Sequence, residues 1–352
     1  MSIFKNITRS FKQKRINKTL KNYKYVHLMF NDKFNKPFVD FLNRNFDSRE
    51  HLVLCKRLCK NQPFPEGENV VEIDRLKKLN FENNEKVICH SLFDWEVIDY
   101  LYKHQDILKE KAYWIMWGGD LYNAQRDEIN DFVRKNFKGY VGIMDKEYAT
   151  KKYNLDAPFY NVHYPFSTTS FDETANIIVK TDKTTRIQIN NSCDESTLQA
   201  MDFIKNFKDE DIVVTTILSY GNLKYKDEII EKGRNYFGDK FEYLDRYLDS
   251  AEYKKFVANN DVLILNQNRQ QGVGNMILYL QQGKKVFVRN EISTFKYLNE
   301  VENVKIFDTL SIPTLSFKEF ITNNYVEQNR KNIKNWTNEK CLVSLWREFF
   351  NA

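Results

Sequence analysis

A turn with two glycines carries the residue types best suited to binding a diphosphate. It has the sequence N-R-Q-Q-G-V-G-N, from Asn268 to Asn275, and it separates the apolar run Val262 to Leu265 from the helix-like run Met276 to Gln282. Gly272 and Gly274 would let the backbone approach a ligand closely, and the amides of a helix N-terminus favour an anion. The spacing matches neither the dinucleotide fingerprint nor the P-loop. An ordinary strand-to-helix turn is therefore the alternative interpretation.

Four further segments accompany this turn, and two of the five segments fix several unusual residues at once. The five are H-L-M-F-N-D (His27 to Asp32), C-H-S-L-F (Cys89 to Phe93), W-I-M-W-G-G-D-L-Y (Trp114 to Tyr122), N-N-S-C-D-E-S (Asn190 to Ser196) and R-Q-Q-G-V-G (Arg269 to Gly274). Together and in this order they resemble the bacterial 4-acetamido-4,6-dideoxy-D-galactose transferases, glycosyltransferase family 56. The chain departs from that pattern at Cys193, where a glycine is usual, and at Ser219-Tyr220-Gly221, where G-Y-P is usual.

The resemblance implies a GT-B fold, in which two Rossmann-like parallel-sheet α/β domains face a cleft. The best-known members of the family use a dTDP-sugar donor and a lipid-linked disaccharide acceptor of enterobacterial common antigen. We therefore expect a hexosyltransferase-type enzyme that moves a dideoxy-amino sugar from a nucleotide-sugar donor, bound in the second domain. The expected acceptor, bound in the first domain, is a polyprenyl-diphosphate-linked or other saccharide of a cell-surface glycan. No cofactor and no essential metal are expected.

The resemblance also assigns residues to the donor. Asn191 and Ser192 would bind the diphosphate, although capping of the following helix is an alternative role for Ser192. The guanidinium of Arg269 is a planar fork of donors that matches phosphate. Tyr220, in a loop after a predicted strand, would stack on a thymine or uracil ring or be a plain surface tyrosine. The predicted donor-binding set is Asn191, Ser192, Tyr220, Arg269, Gln270, Gln271, Gly272, Gly274 and Asn275.

Three residues of the first half are candidates for the base that accepts the proton of the acceptor hydroxyl. Asp120 is the first candidate, as a general base or as a carboxylate that orients the acceptor, and capping of a helix from Leu121 is its alternative role. His90 is the second, because a neutral imidazole accepts a proton well near pH 7, and a buried structural histidine is the alternative. Asp32 is the third. The predicted acceptor-binding residues are Asn31, Trp117, Gly118, Gly119 and Tyr122.

Short apolar runs alternate with helix-like stretches along the chain. The predicted strands are Tyr25 to Phe30, His51 to Cys55, Val70 to Ile73, Lys86 to Ser91, Tyr113 to Trp117, Tyr140 to Met144, Thr185 to Ile189, Ile212 to Ile217, Val262 to Leu265 and Lys285 to Val288. The predicted helices between them include Glu96 to Leu108, Asn123 to Phe137 and Ser250 to Asn259. This alternation predicts parallel α/β sheets, which bind ligands at the carboxyl ends of their strands.

A segment with Pro165 and several hydroxyl residues follows Tyr160 and predicts a domain boundary there. We expect an acceptor-binding domain over residues 25–160, a nucleotide-sugar-binding domain over residues 161–315 and a helical tail over residues 316–352. The 352 residues suffice for two domains, and 42% hydrophobic with 29% charged residues is a globular composition. The five cysteines are scattered and lack metal-ligand spacing, which indicates a reduced, cytoplasmic setting.

Residues 1–24 contain eight Lys or Arg residues and no Asp or Glu, whereas the formal net charge of the whole chain is +6. Ile3, Ile7 and Phe11 recur at helical spacing beside Phe4, so this basic arm is typical of a segment that lies on an anionic membrane surface. No apolar run approaches the roughly 18 residues of a membrane span. The expected location is therefore peripheral, at the cytoplasmic face of the bacterial inner membrane. A solvated basic arm is the alternative.

Two other functions stay open from the sequence. A non-catalytic nucleotide-sugar-binding protein would keep the Gly272 to Asn275 turn without any transfer. A nucleic-acid-binding protein would use the basic arm, but no DNA- or RNA-binding signature follows that arm, and we expect no nucleic-acid partner. The acidic string Asp209 to Asp211 precedes a predicted strand. It would lie at the amino end of that strand, away from the ligand edge, and it is interpreted as a solvated turn and not as a metal site.

Overall fold

The computed structural model describes residues 14–165 and 182–352. The described residues fall into two compact units. Unit 1 comprises residues 14–165 together with Leu342–Ala352, and unit 2 comprises residues 182–341. Each unit contains its own parallel sheet. None of the helices in the described ranges has the length and apolarity that a membrane span requires.

Unit 1 is built on a seven-stranded parallel sheet with the order β3-β2-β1-β4-β5-β6-β7. Its strands are β1 (Tyr25–Phe30), β2 (His51–Lys56), β3 (Val70–Glu72), β4 (Lys86–His90), β5 (Ala112–Ile115), β6 (Gly139–Gly142) and β7 (Phe159–Asn161). Hydrophobic clusters cover both faces of this sheet. Such double burial explains the nearly continuous apolar runs from which the central strands were predicted. The edge strand β7 is half-buried to exposed and was not predicted.

The helices of unit 1 lie on the two faces of its sheet. They are α1 (Asn35–Asn45), α2 (Trp95–Lys103), α3 (Gln105–Glu110), α4 (Gly119–Tyr122), α5 (Glu128–Lys135) and α6 (Lys146–Tyr153). The helix predicted from Glu96 to Leu108 is in fact two helices, α2 and α3, which meet at His104. The helix predicted from Asn123 starts later, because the Asp127 side chain accepts a hydrogen bond from Asn130 N and so caps α5.

Both ends of the chain contribute to the core of unit 1. Residues 14–20 are helical, and Ile16 and Leu20 are buried in the same cluster as Trp114. This part of the predicted basic arm is therefore packed into unit 1. The apolar stripe of Ile3, Ile7 and Phe11 lies outside the described residues. At the other end, the last helix, Glu339–Asn351, buries Trp346, Phe349 and Phe350 against the opposite face of the sheet.

Unit 2 is built on a six-stranded parallel sheet with the order β10-β9-β8-β11-β12-β13. Its strands are β8 (Thr185–Ile189), β9 (Ile212–Ile217), β10 (Phe241–Leu244), β11 (Val262–Leu265), β12 (Lys285–Val288) and β13 (Phe307–Asp308). Its helices are α7 (Ser196–Ile204), α8 (Lys226–Phe237), α9 (Ser250–Asn259), α10 (Val273–Gln281), α11 (Ser293–Lys296), α12 (Phe317–Ile321) and α13 (Val326–Thr337), followed by α14 (Glu339–Asn351). The predicted fold class, two parallel-sheet α/β domains, is confirmed.

Candidate functional site

Each sheet reverses its strand order at one point, between β1 and β4 in unit 1 and between β8 and β11 in unit 2. The connections that leave the two strands at such a point run to opposite sides, so a crevice opens at their carboxyl ends. The predicted site residues follow β1, β4 and β5 in unit 1, and β8, β9 and β11 in unit 2.

In unit 2, Asn190 fixes the geometry of the switch point. It follows β8 with φ of 52°, a left-handed conformation that asparagine tolerates better than most residues. Its Nδ2 donates to Ser196 Oγ at 3.0 Å and to Thr197 Oγ1 at 2.9 Å, at the start of α7. Its Oδ1 accepts from the backbone N of Asn266, after β11, at 2.8 Å. One side chain thus holds together the ends of both strands and a helix start.

The next two residues of this loop form an amide cluster with the loop after β11. Asn191 Oδ1 accepts from Gln267 Nε2 at 3.2 Å and from Gln271 Nε2 at 3.4 Å. Gln271 Nε2 also donates to Ser192 Oγ at 2.7 Å, so Ser192 does not cap α7. The structure therefore brings together three of the predicted donor residues, Asn191, Ser192 and Gln271, and adds Gln267.

The N-terminus of α10 lies beside this amide cluster. Gly272 precedes the helix with φ of 70°, and a Cβ at this position would lie 3.1 Å from the Asn191 side chain. Gly274, in the first turn, faces open space, because a Cβ there would meet nothing within 4 Å. The first amides of a helix have no partner within it and carry positive partial charge. The open space at Gly274 can therefore receive an anionic group.

Arg269 and Gln270 are half-buried residues of the same loop, and half-buried Asn275 lies in the first turn of α10. Tyr220 lies on the loop after β9 with 46% of its surface exposed, and its hydroxyl accepts from Asn191 Nδ2 at 3.1 Å. Gly221 makes this loop possible, because its φ is 102° and a Cβ would lie 2.4 Å from the Cys193 carbonyl oxygen. An exposed aromatic ring is thus anchored at the edge of the amide cluster.

In unit 1, the Asp120 carboxylate joins two loops. One oxygen accepts from the backbone N of Leu92 at 2.9 Å and from Trp114 Nε1 at 2.7 Å, and the other accepts from Trp117 N at 2.8 Å. Asp120 is buried and lies inside α4, so it does not cap that helix. Burial raises the pKa of Asp120, and the three hydrogen bonds oppose that shift. The carboxylate fixes the connection between the loops after β4 and β5.

The residues after β1 differ in exposure. Asn31 is buried and organises the loop after β2, since its Oδ1 accepts from Leu58 N and Cys59 N and its Nδ2 donates to Gln62 O at 3.0 Å. Asp32 is half-buried and its carboxylate accepts from the backbone N of Phe34 at 3.3 Å. Of the three candidate bases, only Asp32 has a carboxylate that is partly exposed.

His90 belongs to a row of hydrogen-bonded side chains. Its Nε2 lies 2.9 Å from His27 Nδ1, and His27 Nε2 lies 3.1 Å from His51 Nδ1. His90 Nδ1 is hydrogen-bonded to the Tyr164 hydroxyl, which also accepts from Trp117 Nε1 at 3.0 Å. Burial lowers the pKa of His51 to about 4 and that of His90 to about 3, and it lowers the pKa of His27 well below its usual value. All three imidazoles are therefore neutral at physiological pH.

A pocket opens at the carboxyl ends of β1, β2 and β4, lined by His90, Ser91, Lys56 and Asp94 together with apolar side chains. Ser91 has φ of 73°, and its buried Oγ has no hydrogen-bond partner within the described ranges. Lys56 Nζ contacts the carboxylates of Asp94 at 2.6 Å and Glu96 at 2.5 Å. Ser91 thus contributes to the lining of this pocket a buried hydroxyl group without a protein hydrogen-bond partner among the described residues.

The remaining predicted acceptor residues lie in the loop after β5 and in α4. Trp117 packs against Phe30 and Phe34 with ring centroids 5.6 and 5.4 Å apart. Gly119 contacts Phe93 so closely that a Cβ would lie 2.7 Å from the ring, and Gly118 has φ of 80°. The Tyr122 hydroxyl donates to Asp145 Oδ1 at 2.6 Å, and burial raises the pKa of Asp145 to about 7.

Residues 62–340 match the family model described as 4-alpha-L-fucosyltransferase, glycosyl transferase group 56. The chain belongs to glycosyltransferase family 56. No curated protein sequence matches the chain at a significant level.

Solved structures show the fold of this family 56 protein. A glycosyltransferase from Rickettsia africae superposes with a TM-score of 0.65 at 11% identity, covering 93% of this chain and 98% of that one. Anabaena HepE, in complex with UDP and glucose, gives a TM-score of 0.61 at 9% identity over 94% of this chain and all of its own. WaaG, a glycosyltransferase of lipopolysaccharide biosynthesis, gives 0.55 at 10% identity, covering 93% and 98%. The protein is a glycosyltransferase of the GT-B type.

Five residues of this family 56 enzyme were not predicted as site residues and lie among those that were: His27, His51, Asp145, Tyr164 and Gln267. The sequence does carry one signal for them. Three of the chain's five histidines occur in predicted strands. Only the strand order β2-β1-β4 makes these histidines neighbours, because β1 lies between the other two strands.

Proposed function

We propose that this glycosyltransferase moves a dideoxy-amino sugar from a dTDP-linked donor to a polyprenyl-diphosphate-linked saccharide in the synthesis of a cell-surface glycan. The observation that carries the proposal is the open N-terminus of α10 at Gly272 and Gly274, set beside the amide cluster of Asn191 and Gln271. A diphosphate needs several hydrogen-bond donors and positive potential, and this arrangement offers both. The complex of HepE with UDP and glucose supports a nucleotide sugar as donor.

The donor would bind with its diphosphate at α10, where Arg269 adds a charged donor from the same loop. The ring of Tyr220 would support the base, since its anchored hydroxyl leaves the aromatic face at the surface. The sugar hydroxyls and the acetamido group would then face amide groups such as that of Gln271. Leaving-group charge on the diphosphate would be stabilised by the helix and the guanidinium.

The acceptor would bind in unit 1 at the carboxyl ends of β1, β4 and β5. Ser91 Oγ would form a hydrogen bond with an acceptor hydroxyl that enters the pocket, because it has no hydrogen-bond partner within the described ranges. Trp117 and Phe34 present aromatic surface suited to a sugar ring. Asp120 would act through its three hydrogen bonds, by holding the loop of Trp117 in place. The role of WaaG in lipopolysaccharide biosynthesis supports a cell-surface saccharide as acceptor.

The test is a panel of dTDP-, UDP- and GDP-linked sugars, followed by thermal stabilisation and by release of the nucleotide diphosphate. We expect a dTDP-sugar to stabilise the protein and to be turned over with a saccharide acceptor. Arg269→Ala should weaken nucleotide affinity roughly tenfold or more, because charge-assisted contacts contribute about 1.5–3 kcal/mol each. Arg234→Ala, on the exposed surface of α8, is the matched control. Binding without any turnover would support the non-catalytic alternative.

We propose further that residues 1–24 attach the enzyme to the anionic cytoplasmic face of the inner membrane. Eight basic residues beside Ile3, Phe4, Ile7 and Phe11 support this. Deletion should stop at residue 13, since Ile16 and Leu20 are part of the unit 1 core. The shortened protein should lose binding to phosphatidylglycerol vesicles in cosedimentation and keep its activity on a soluble acceptor. Vesicle binding equal to that of the full chain would exclude residues 1–13, with their apolar stripe, as the anchor.

A further inference from the structure

Three buried histidines, His90, His27 and His51, form one continuous hydrogen-bonded row with Tyr164. The row runs across the sheet of unit 1, because His90 is the last residue of β4, His27 is the third residue of β1 and His51 is the first residue of β2. Tyr164 lies at the carboxyl edge of the sheet, where Trp117 of the loop after β5 holds its hydroxyl. The row therefore connects the carboxyl edge, where the acceptor site is proposed, with the amino edge.

Surroundings differ between the middle and the far end of the row. Phe38 packs on His27 and His90, and Phe350 of the last helix packs on His27 and His51. His51, by contrast, lies close enough to Glu50, Asp47 and Lys24 for their charges to act on its pKa. The middle of the row is thus shielded from water, and its far end lies next to charged residues of the amino edge.

Only two arrangements of protons satisfy the whole row. A neutral imidazole donates from one nitrogen and accepts at the other, and the Trp117 indole can only donate. In the first arrangement the Tyr164 hydroxyl donates to His90, each histidine donates to the next, and His51 carries its proton on Nε2. In the second arrangement every histidine donates in the opposite direction, and the Tyr164 hydroxyl hydrogen points away from His90. The two arrangements differ by a shift of one proton along each hydrogen bond.

We propose that His90, His27 and His51 form a proton relay that carries the proton of the acceptor hydroxyl from Tyr164 to the amino edge of unit 1. The proposal rests on the proposed function. In the transfer, the acceptor oxygen bonds to C1 of the donor sugar, and the bond from C1 to the diphosphate oxygen breaks with its electron pair on the diphosphate. The acceptor proton passes to Tyr164 Oη, each group of the row passes one proton on, and His51 Nε2 releases one to water.

A purely structural role does not explain why three imidazoles, and not apolar rings, occupy these buried positions. Apolar rings of similar shape would fill the same space, and replacement of both partners of a buried hydrogen bond by such groups can be nearly neutral for stability. Of the direct alternatives for a base, the Asp120 carboxylate already accepts three hydrogen bonds, and the partly exposed Asp32 is the competing base against which the variants below test the relay. A relay needs no imidazole to hold a positive charge in the core, because each ring gains and loses a proton together.

His51→Phe tests the relay at its far end, away from the proposed substrate sites. A phenyl ring suits the contacts of His51 with Tyr25, Phe46 and Phe350. With dTDP-linked 4-acetamido-4,6-dideoxygalactose and a short-chain prenyl-diphosphate disaccharide, we expect kcat to fall about 100-fold, because positioned proton transfer contributes at least that much. KM and nucleotide affinity should not change. His104→Phe, outside the row, is the matched control and should keep the parent kcat.

A second pair of variants covers the case in which His51→Phe does not fold. His51→Asn keeps a hydrogen bond to His27 but cannot pass a proton on, and the same loss of kcat is expected. In His51→Gly, added imidazole should restore turnover, whereas thiazole, which fills the same space without an N–H, should not. A kcat within about threefold of the parent in His51→Asn, or equal rescue by thiazole, would overturn the relay.

One measurement is independent of activity, so that failure of the proposed donor and failure of the relay can be told apart. Nitrogen NMR of free protein with 15N-labelled histidine should show His27 protonated on Nε2 and unprotonated on Nδ1, as in the first arrangement, which is the one ready to accept a proton from Tyr164. A His27 proton fixed on Nδ1 would contradict the relay, whatever the substrate. If the Nε2 tautomer is seen and the dTDP-sugar is not turned over, the assigned donor is wrong and the relay stands.

Discussion

The two switch points share one strand order and differ in their chemistry. In unit 2 the crevice residues are neutral amides, a hydroxyl and a helix N-terminus, drawn from Asn191, Ser192, Gln271 and Gly272. In unit 1 the same place holds the buried Asp120 carboxylate, the His90 imidazole and the Lys56 pair with Asp94 and Glu96. The shared topology thus decides where a ligand binds, and the side chains decide what the binding does.

The two units also differ in whether the protein itself supplies hydrogen-bond partners for the polar groups at the switch point. In unit 1 Asp120 and the histidine row use protein partners for their hydrogen bonds. In unit 2 the first turn of α10 faces open space at Gly274. The crevice of unit 2 therefore leaves room for a ligand at α10, and the polar groups of unit 1 are largely paired within the protein. Preorganised groups suit chemistry at the acceptor, and open donors suit binding of an anion.

The largest effect that would test this contrast is expected for Asp120→Ala. The change leaves Leu92 N, Trp114 Nε1 and Trp117 N without their acceptor in a buried place. Each orphaned donor costs about 1–3 kcal/mol, so the free energy of unfolding should fall by about 3 kcal/mol or more in urea titrations.

Asp120→Asn is the matched control for charge, because it keeps the size of the side chain and one acceptor oxygen. We expect it to lose less stability than Asp120→Ala and to keep nucleotide affinity, since Asp120 belongs to unit 1. If Asp120→Ala loses less than about 1 kcal/mol and turnover alone collapses, Asp120 is a base and not a positioning residue. Unit 1 would then not be preorganised by the hydrogen bonds of Asp120, and the contrast with the open unit 2 would lose its main support.

Sequence patterns predicted the strands of unit 2 well where the strands are buried on both faces. β8, β9, β11 and β12 have the predicted bounds. β9, β11 and β12 are short, mostly apolar runs, and in β8 isoleucines alternate with polar residues. β10 and β13 were missed, since their residues are mostly half-buried or exposed and their sequences carry polar residues. The turn from Asn268 to Asn275 was predictable because its pattern, a strand followed by glycines and a helix, is local in the sequence.

The contacts of unit 1 were not predictable in the same way. The histidine row depends on the register that places His27 beside Ile88 and Val53, which no local pattern determines. Capping of a helix from Leu121, the alternative role considered for Asp120, followed from neighbours along the chain alone, whereas its partners include Leu92 of another loop. His90 was predicted from its position at a strand end, and its partners came from strands that the sequence could not pair. Site residues that lie close together in the sequence could therefore be predicted, and contacts between residues of different strands could not.

The smallest expected effect concerns Gly274, and it tests whether the open space at α10 is the anion site. Gly274→Ala adds a methyl group that meets no protein atom within 4 Å, and alanine favours the helix by about 0.5 kcal/mol. Thermal stability of the free protein should therefore rise slightly. Affinity for dTDP, measured by calorimetry, should fall roughly tenfold, since the methyl group occupies space that the diphosphate needs.

Gly272→Ala is the contrast two residues earlier, because its φ of 70° and its distance of 3.1 Å to Asn191 leave no room for a side chain. This variant should lose about 1–2 kcal/mol of unfolding free energy along with its affinity. The pair separates binding from folding, since only Gly274→Ala is expected to weaken dTDP binding in a protein at least as stable as the parent. Unchanged dTDP affinity in Gly274→Ala would move the diphosphate away from α10 and remove the main difference between the two crevices.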